Sequence, residues 1–185
     1  EKLRKKAKEQ GLWAMGIPEE YGGGGLDVLG RVIVAEELVQ HRLGLYNMGL
    51  NGVEIEPGVE VGSPEYYLET ADDYHMDAFI QPAIEGEQSG SFALTEPAGG
   101  SDPSNMQTKA VKDGDEWVLN GEKRWITSAG YADFAVVFAR AIVDGEDQGI
   151  TAFMVDTDTD GWNIHSRIDV IRPKDPFEIH MDDMR

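Results

Sequence analysis

Two Asx-Gly pairs, Asp113-Gly114 and Asn120-Gly121, punctuate the apolar runs of the segment 91–131. Such a pair is a strong hairpin signal. A type I′ turn needs positive φ at both central residues, which Asn, Asp and Gly tolerate. The spacing predicts three successive antiparallel strands over residues 106–111, 117–119 and 125–127. A meander of this kind draws TEPAGGSD (95–102) towards KRWITSAG (123–130). Both segments set small hydroxyls beside a hydrophobic or aromatic residue. That combination suits a flat heteroaromatic ligand, which needs a stacking face and a few hydrogen bonds at its rim.

Upstream, residues 1–10 are charged and free of helix breakers, and Gly11 follows as a C-cap. Residues 18–25 read as a loop. Asp27 is a good N-cap for a helix reaching about Leu43, with Leu29, Val32, Ile33 and Val39 at helical spacing. The glycines 22–25 lack the GK[ST] continuation of a phosphate-binding loop, so they are read as a flexible lead into that helix. VEIEPGVEV (53–61) alternates apolar and acidic residues around Pro57-Gly58 and suggests a hairpin or extended loop. Ser63-Pro64 offers an N-cap and first helical residue, and helical character resumes over 66–80 until the stretch 82–90 breaks it.

From Ser91 the periodicity becomes that of strands, with candidates at 134–138, 149–155, 164–171 and 177–181. The expected fold class is α+β: an N-terminal α-helical region over 1–90, then an antiparallel β-barrel or sandwich over 91–185.

Charge narrows the function. Lys and Arg number 16 against 35 Asp and Glu, a net charge of −19. Such a chain repels phosphates, so neither a nucleic acid nor an anionic membrane is an expected partner. The acids are spread along the chain rather than gathered in a tail. This is read as an acidic surface adapted to high salt, where screening removes the self-repulsion. Cysteine is absent, which excludes disulfides and thiolate chemistry and fits a cytoplasmic location. No apolar run approaches the ~20 residues of a membrane-spanning helix. DTDTDG (156–161) opens like a calcium loop, but its twelfth position is Arg167 where a bidentate Glu is required, so a solvated turn is preferred. His41, His75, His165 and His180 are scattered without HExxH spacing, and no metal site is expected. There is no GxSxG nucleophile elbow.

FALTEPAGGSD (92–102) and LNGEKRWITSAG (119–130) resemble the two flavin-binding signatures of the acyl-CoA dehydrogenase middle domain. They stand in family order, and ADFAVVFAR (132–140) follows. GLWAMGIPEEYGGGGLD (11–27) is similar to the family's N-terminal helical region. Residues 45–76 depart from the family and leave the shape of the acyl pocket open.

The resemblance implies FAD as cofactor, an acyl-CoA thioester as substrate, an electron-transfer flavoprotein as redox partner and a homotetrameric assembly. The implied reaction is α,β-dehydrogenation, with a carboxylate taking the α-proton while the β-hydrogen leaves as hydride to the flavin. In the family that carboxylate belongs to a C-terminal helical domain, which this chain is expected to lack. No catalytic residue is therefore assigned, and the segment alone is expected to be inactive. The position matching Thr95 hydrogen-bonds the pyrimidine side of the flavin, and that matching Thr127 lies near its hydride-accepting nitrogen. Trp125 matches an indole packed against the ring system, with Ile126 beside it. Phe92 and Leu94 match residues that line the flavin mostly through backbone. Ser101 matches one between the cofactor and the CoA part of the substrate. Glu96, followed by Pro97, is given a structural role. An acyl-CoA oxidase or flavin monooxygenase on the same scaffold stays open, as does a non-catalytic binding module. Retention of Thr95, Trp125 and Thr127 together speaks against the module.

Overall fold

A computed structural model describes residues 2–39, 71–170 and 175–185, in two units, Glu1–Ser89 and Gly90–Arg185. The features expected at 53–61, at Ser63-Pro64 and towards Leu43 lie outside the described residues.

The first unit contains α1 (Lys2–Glu9), a 3-10 turn (Glu19–Tyr21) and α2 (Val28–Val39). A further helical run, α3, joins Asp73–His75, a π-helical turn Met76–Ile80 and Gln81–Ile84. The sequence of α1, KLRKKAKE, concentrates basic residues in an otherwise acidic chain. Asp27 caps α2 as expected, its Oδ1 accepting the Gly30 N–H at 2.7 Å. The glycines before it are not a loose lead. The N–H groups of Gly24, Gly25 and Leu26 donate to the carbonyls of Ala14, Ile17 and Met15 at 2.9, 2.8 and 2.8 Å. A Cβ on Gly23 would lie 2.1 Å from the Ile17 carbonyl oxygen, so glycine permits the close approach of two backbone segments. With these donors consumed, the segment is no phosphate cradle either.

Helix α3 passes through Pro82, where the sequence suggested a break. Pro82 is the second residue of the α-helical piece that follows the π turn, in its first turn, where a missing N–H is tolerated. The buried Trp13 closes the helix end, its indole Nε1–H donating to the Ile84 carbonyl at 2.8 Å.

The second unit is a curled seven-stranded mixed sheet. Its strands are β1 (Gly90–Ala93), β2 (Lys109–Asp113), β3 (Glu116–Thr127), β4 (Phe134–Val143), β5 (Glu146–Asp156), β6 (Trp162–Arg167) and β7 (Pro176–Met184). The helical region and barrel-like sheet match the expected fold class. Strand β4, FAVVFARAIV, is apolar almost throughout and accordingly lies in the middle of the sheet. One of its edges takes β1 and then β2, both parallel. The other takes β5, antiparallel. The remaining ladders, β2–β3, β3–β7 and β7–β6, are antiparallel as expected. The core is built from the inward faces of these strands, including Ala93, Leu119, Ile126, Val137, Ile179 and Met181.

The two Asx-Gly pairs behave differently. Asp113-Gly114 turns the β2–β3 hairpin, with Asp113 opposite Glu116. Asn120-Gly121 is not a turn: β3 runs unbroken from Glu116 to Thr127, and only its register on β7 slips, between Leu119 and Gly121. Gly121 has φ 151°, and a Cβ there would lie 2.6 Å from Thr108 Oγ1. Asn120 clamps the facing strand, its Oδ1 accepting the Asp183 N–H at 2.9 Å and its Nδ2 donating to Asp183 Oδ1 at 3.0 Å. The expected three-strand meander is therefore one hairpin with a long, bulged second arm. Asn120→Ala removes both bonds and should cost about 1 kcal/mol. A lowered urea midpoint with unchanged m-value checks this, and an unshifted midpoint would contradict it.

Candidate functional site

The loop after β1 folds on itself, Glu96 and Gly99 exchanging backbone hydrogen bonds of 3.1 and 3.2 Å around Pro97-Ala98. This turns the Glu96 side chain inwards. Its Oε2 accepts the Gln107 N–H at 2.7 Å, and its Oε1 accepts the Thr108 N–H at 2.9 Å and the Thr108 hydroxyl. Oε1 also meets Lys123 Nζ at 2.9 Å. Lys123, in the middle of β3, is 0% exposed. Burial alone pushes the Glu96 carboxyl up, but the Thr108 hydroxyl, the Gln107 and Thr108 N–H groups and Lys123 outweigh it and hold it below its ordinary value of 4.5. Burial lowers the Lys123 ammonium, and Glu96 opposes that. Glu96 is thus an ionised structural anchor, as Pro97 suggested, and is not poised to take a proton.

The anchor brings together the two segments singled out in the sequence. Lys123 Nζ also donates to the Leu94 carbonyl at 3.1 Å, and the Arg124 N–H donates to the Thr95 carbonyl at 2.8 Å. Thr95 therefore lies against the stretch that carries Trp125 and Thr127. The juxtaposition is as expected, but these bonds produce it rather than a turn at Asn120-Gly121. A cleft beside Thr95 is lined by Leu94, Gly100, Asp102 and Met106. Asp102 caps a short 3-10 turn, Pro103–Asn105, by accepting the Ser104 N–H at 2.9 Å. The Ser104 side chain, together with that backbone bond, holds the Asp102 carboxyl below its ordinary value. Arg140 braces the same loop by donating to the Met106 carbonyl at 3.0 Å and to the Ser104 carbonyl.

The backbone at Trp125 is unusual. The β3–β7 ladder steps from Lys123 opposite Ile179 to Ile126 opposite Phe177, so β3 carries one extra residue. Trp125 takes up the bulge with φ 66°, a left-handed conformation that a bulky side chain adopts at a cost of about 1–3 kcal/mol. The bulge turns the indole out of the sheet, leaving it 52% exposed. The Arg124 guanidinium lies 5.4 Å from the ring centre.

The other candidate positions sort by exposure. Thr127 is exposed at the end of β3, opposite Pro176. Ser101 is exposed on the loop. Leu94 and Phe92 are half-buried, and Phe92 packs on Phe138 with ring centres 5.0 Å apart. Ile126 is 2% exposed and belongs to the core, so its side chain is not offered to a ligand and only its backbone remains available. Among the described residues, no helix is long and apolar enough to cross a membrane. The Asp156, Asp158 and Asp160 carboxylates do not gather into a ligand set, whereas His165, Glu178 and His180 do. Sequence spacing missed that grouping because it depends on the pairing of β6 with β7.

Residues 91–184 match the family described as "Acyl-CoA dehydrogenase, middle domain", and residues 1–66 match "Acyl-CoA dehydrogenase, N-terminal domain". The "Probable acyl-CoA dehydrogenase YngJ" of Bacillus subtilis (strain 168) is 39% identical over 98% of this chain and 47% of its own length. The human "Short-chain specific acyl-CoA dehydrogenase, mitochondrial" is 38% identical over 89% of this chain and 38% of its own length. The chain thus spans less than half of either relative. Among solved structures, a glutaryl-CoA dehydrogenase from Mycobacterium smegmatis in complex with FADH2 superposes with a TM-score of 0.76 and 27% identity, over 99% of this chain and 45% of its own.

Proposed function

Because this chain belongs to the acyl-CoA dehydrogenase family, we propose that the intact protein is an FAD-dependent enzyme that introduces an α,β double bond into an acyl-CoA thioester. The observation that carries the reading is the bulge at Trp125, a strained backbone whose effect is to present a flat aromatic face next to Thr95 and Thr127. Strain of this kind persists where the surroundings over-determine it, commonly at binding sites. The residues fit the flavin. The exposed indole gives its ring system a stacking face. The Thr95 and Thr127 hydroxyls would offer hydrogen bonds to its polar rim, and Phe92 and Leu94 would line it mostly through their backbone. Bound FAD supplies the electron sink for the two electrons released as the double bond forms.

The chain's own residues then position and polarise. Hydroxyl donors along the flavin's pyrimidine side favour the reduced state, which carries more negative charge there. Ser101, on the exposed loop, is assigned to the boundary between cofactor and thioester. Glu96 is excluded as the base, since its carboxylate is buried, ionised and bound by Lys123, Gln107 and Thr108. Transfer of electrons to an electron-transfer flavoprotein and a homotetrameric state are proposed from the family alone.

The test is the absorbance spectrum of the intact protein, purified in high salt, before and after anaerobic addition of acyl-CoAs from short to long chain. Flavin bands that bleach with one thioester are the expected result. The short-chain relative makes short acyl groups the first to try. Bound flavin that no thioester bleaches would overturn the dehydrogenation. Bleached flavin that air reoxidises within the turnover time would favour the acyl-CoA oxidase reading.

A further inference from the structure

We propose that His165, Glu178 and His180 form a binding site for a divalent late transition-metal ion such as zinc or nickel. This inference is independent of the flavin reading. Glu178 and His180 are two apart on β7 and so share a face. His165 reaches that face through a bulge. The β6–β7 ladder passes from Ile164 opposite Ile179 to Ser166 opposite Glu178, leaving His165 as the extra residue. One ligand atom from each of the three side chains lies within 4.8 Å of the other two. The imidazoles stack with centres 4.2 Å apart and planes within 10°, which aligns them side by side.

A second observation points to a missing partner. His180 Nε2 is shut off from solvent and has no hydrogen-bond partner. Glu178 Oε1 stands 3.6 Å away, within ion-pair range of a protonated ring but too far for a hydrogen bond. A buried ring nitrogen left unpaired is costly, and a cation between the imidazoles and the carboxylate would relieve it. Two neutral nitrogens and one carboxylate oxygen suit zinc, nickel, cobalt or copper(II). Magnesium and calcium prefer all-oxygen shells. Bonds of about 2.1 Å in tetrahedral geometry put donors about 3.5 Å apart, so the side chains must close by roughly 1 Å and the rings must splay. The Arg124 guanidinium is a competing cation, its Nε 3.6 Å from Glu178 Oε2, at ion-pair but not hydrogen-bond distance, so a metal must approach through Oε1. Glu122, opposite His180 on β3, adds negative charge that offsets Arg124.

The test is isothermal titration of the chelator-treated intact protein with zinc chloride in high salt. The expected result is one equivalent bound, with affinity falling at least about tenfold in His165→Ala and again in Glu178→Gln. His165 is exposed and on the terminal strand of the sheet, so its replacement should spare the fold, which far-UV circular dichroism checks. Absence of zinc binding to the wild-type protein would overturn the proposal. So would zinc binding that His165→Ala leaves unchanged or that millimolar magnesium displaces, since both mark diffuse attraction to a surface of charge −19.

Discussion

Replacing Lys123 with methionine should destabilise the second unit by about 3 to 5 kcal/mol, the loss typical when one partner of a buried ion pair is removed and the other stays charged. Methionine keeps most of the volume of the lysine stem, so the effect isolates the charge rather than a cavity. Glu96 would remain buried beside the Gln107 and Thr108 donors with no cation to balance it. The Leu94 carbonyl would also lose its donor. Urea unfolding of the variant checks the size. A loss under about 1 kcal/mol would show that the pair is effectively solvated. Adding Glu96→Gln to the variant should recover part of the loss, because a neutral amide no longer strands a charge. Recovery will be incomplete, since the amide presents one acceptor oxygen to donors that now share two. The pH dependence follows from the direction of the Glu96 shift. Its folded value lies below 4.5, so its stabilisation is complete above that pH and is lost as the pH falls through the folded value. Without Lys123 the depression shrinks, and the loss on acidification should be shallower.

This anchor also marks the limit of what the sequence discloses. A lysine in the middle of a strand gives no local sign of being fully buried, and its partner lies 27 residues away in a loop. Local chemistry was legible. Asp113-Gly114 turned where it should, Asp27 capped α2, and the apolar run 134–138 became part of the buried β4. Asn120-Gly121 carried the same chemical signal and gave a different structure. Tolerance of positive φ is all the pair encodes, and its neighbours Thr108 and Asp183 decide whether that is used for a turn or for a bulge. The parallel placement of β1 and β2 on one edge of β4 is likewise set by long-range pairing, which no short window contains. Among the candidate site residues, the motif located Thr95, Trp125 and Thr127 in one neighbourhood but could not separate Ile126, which the bulge at Trp125 returns to the core face shared with Lys123.

Trp125→Gly and Trp125→Ala should weaken flavin binding equally but differ in fold stability. Both remove the indole, and stacking of a heteroaromatic base on an aromatic side chain is worth roughly 1–3 kcal/mol, about 5- to 150-fold in affinity. Quenching of flavin fluorescence on titration with apoprotein measures that loss. The backbone effect is separate. At φ 66° alanine keeps the left-handed strain, whereas glycine occupies that region without a Cβ clash. Glycine's greater freedom in the unfolded chain takes back some of the relief. The glycine variant should still be more stable than the alanine variant by about 1 kcal/mol in urea. Equal stabilities would mean that the bulge is unstrained, and unchanged flavin affinity would remove the indole from the site. If both differences appear, the position holds a residue that its backbone disfavours and its ligand requires. Local stability is then set below what glycine would allow, and the reason is the aromatic face that the bulge presents.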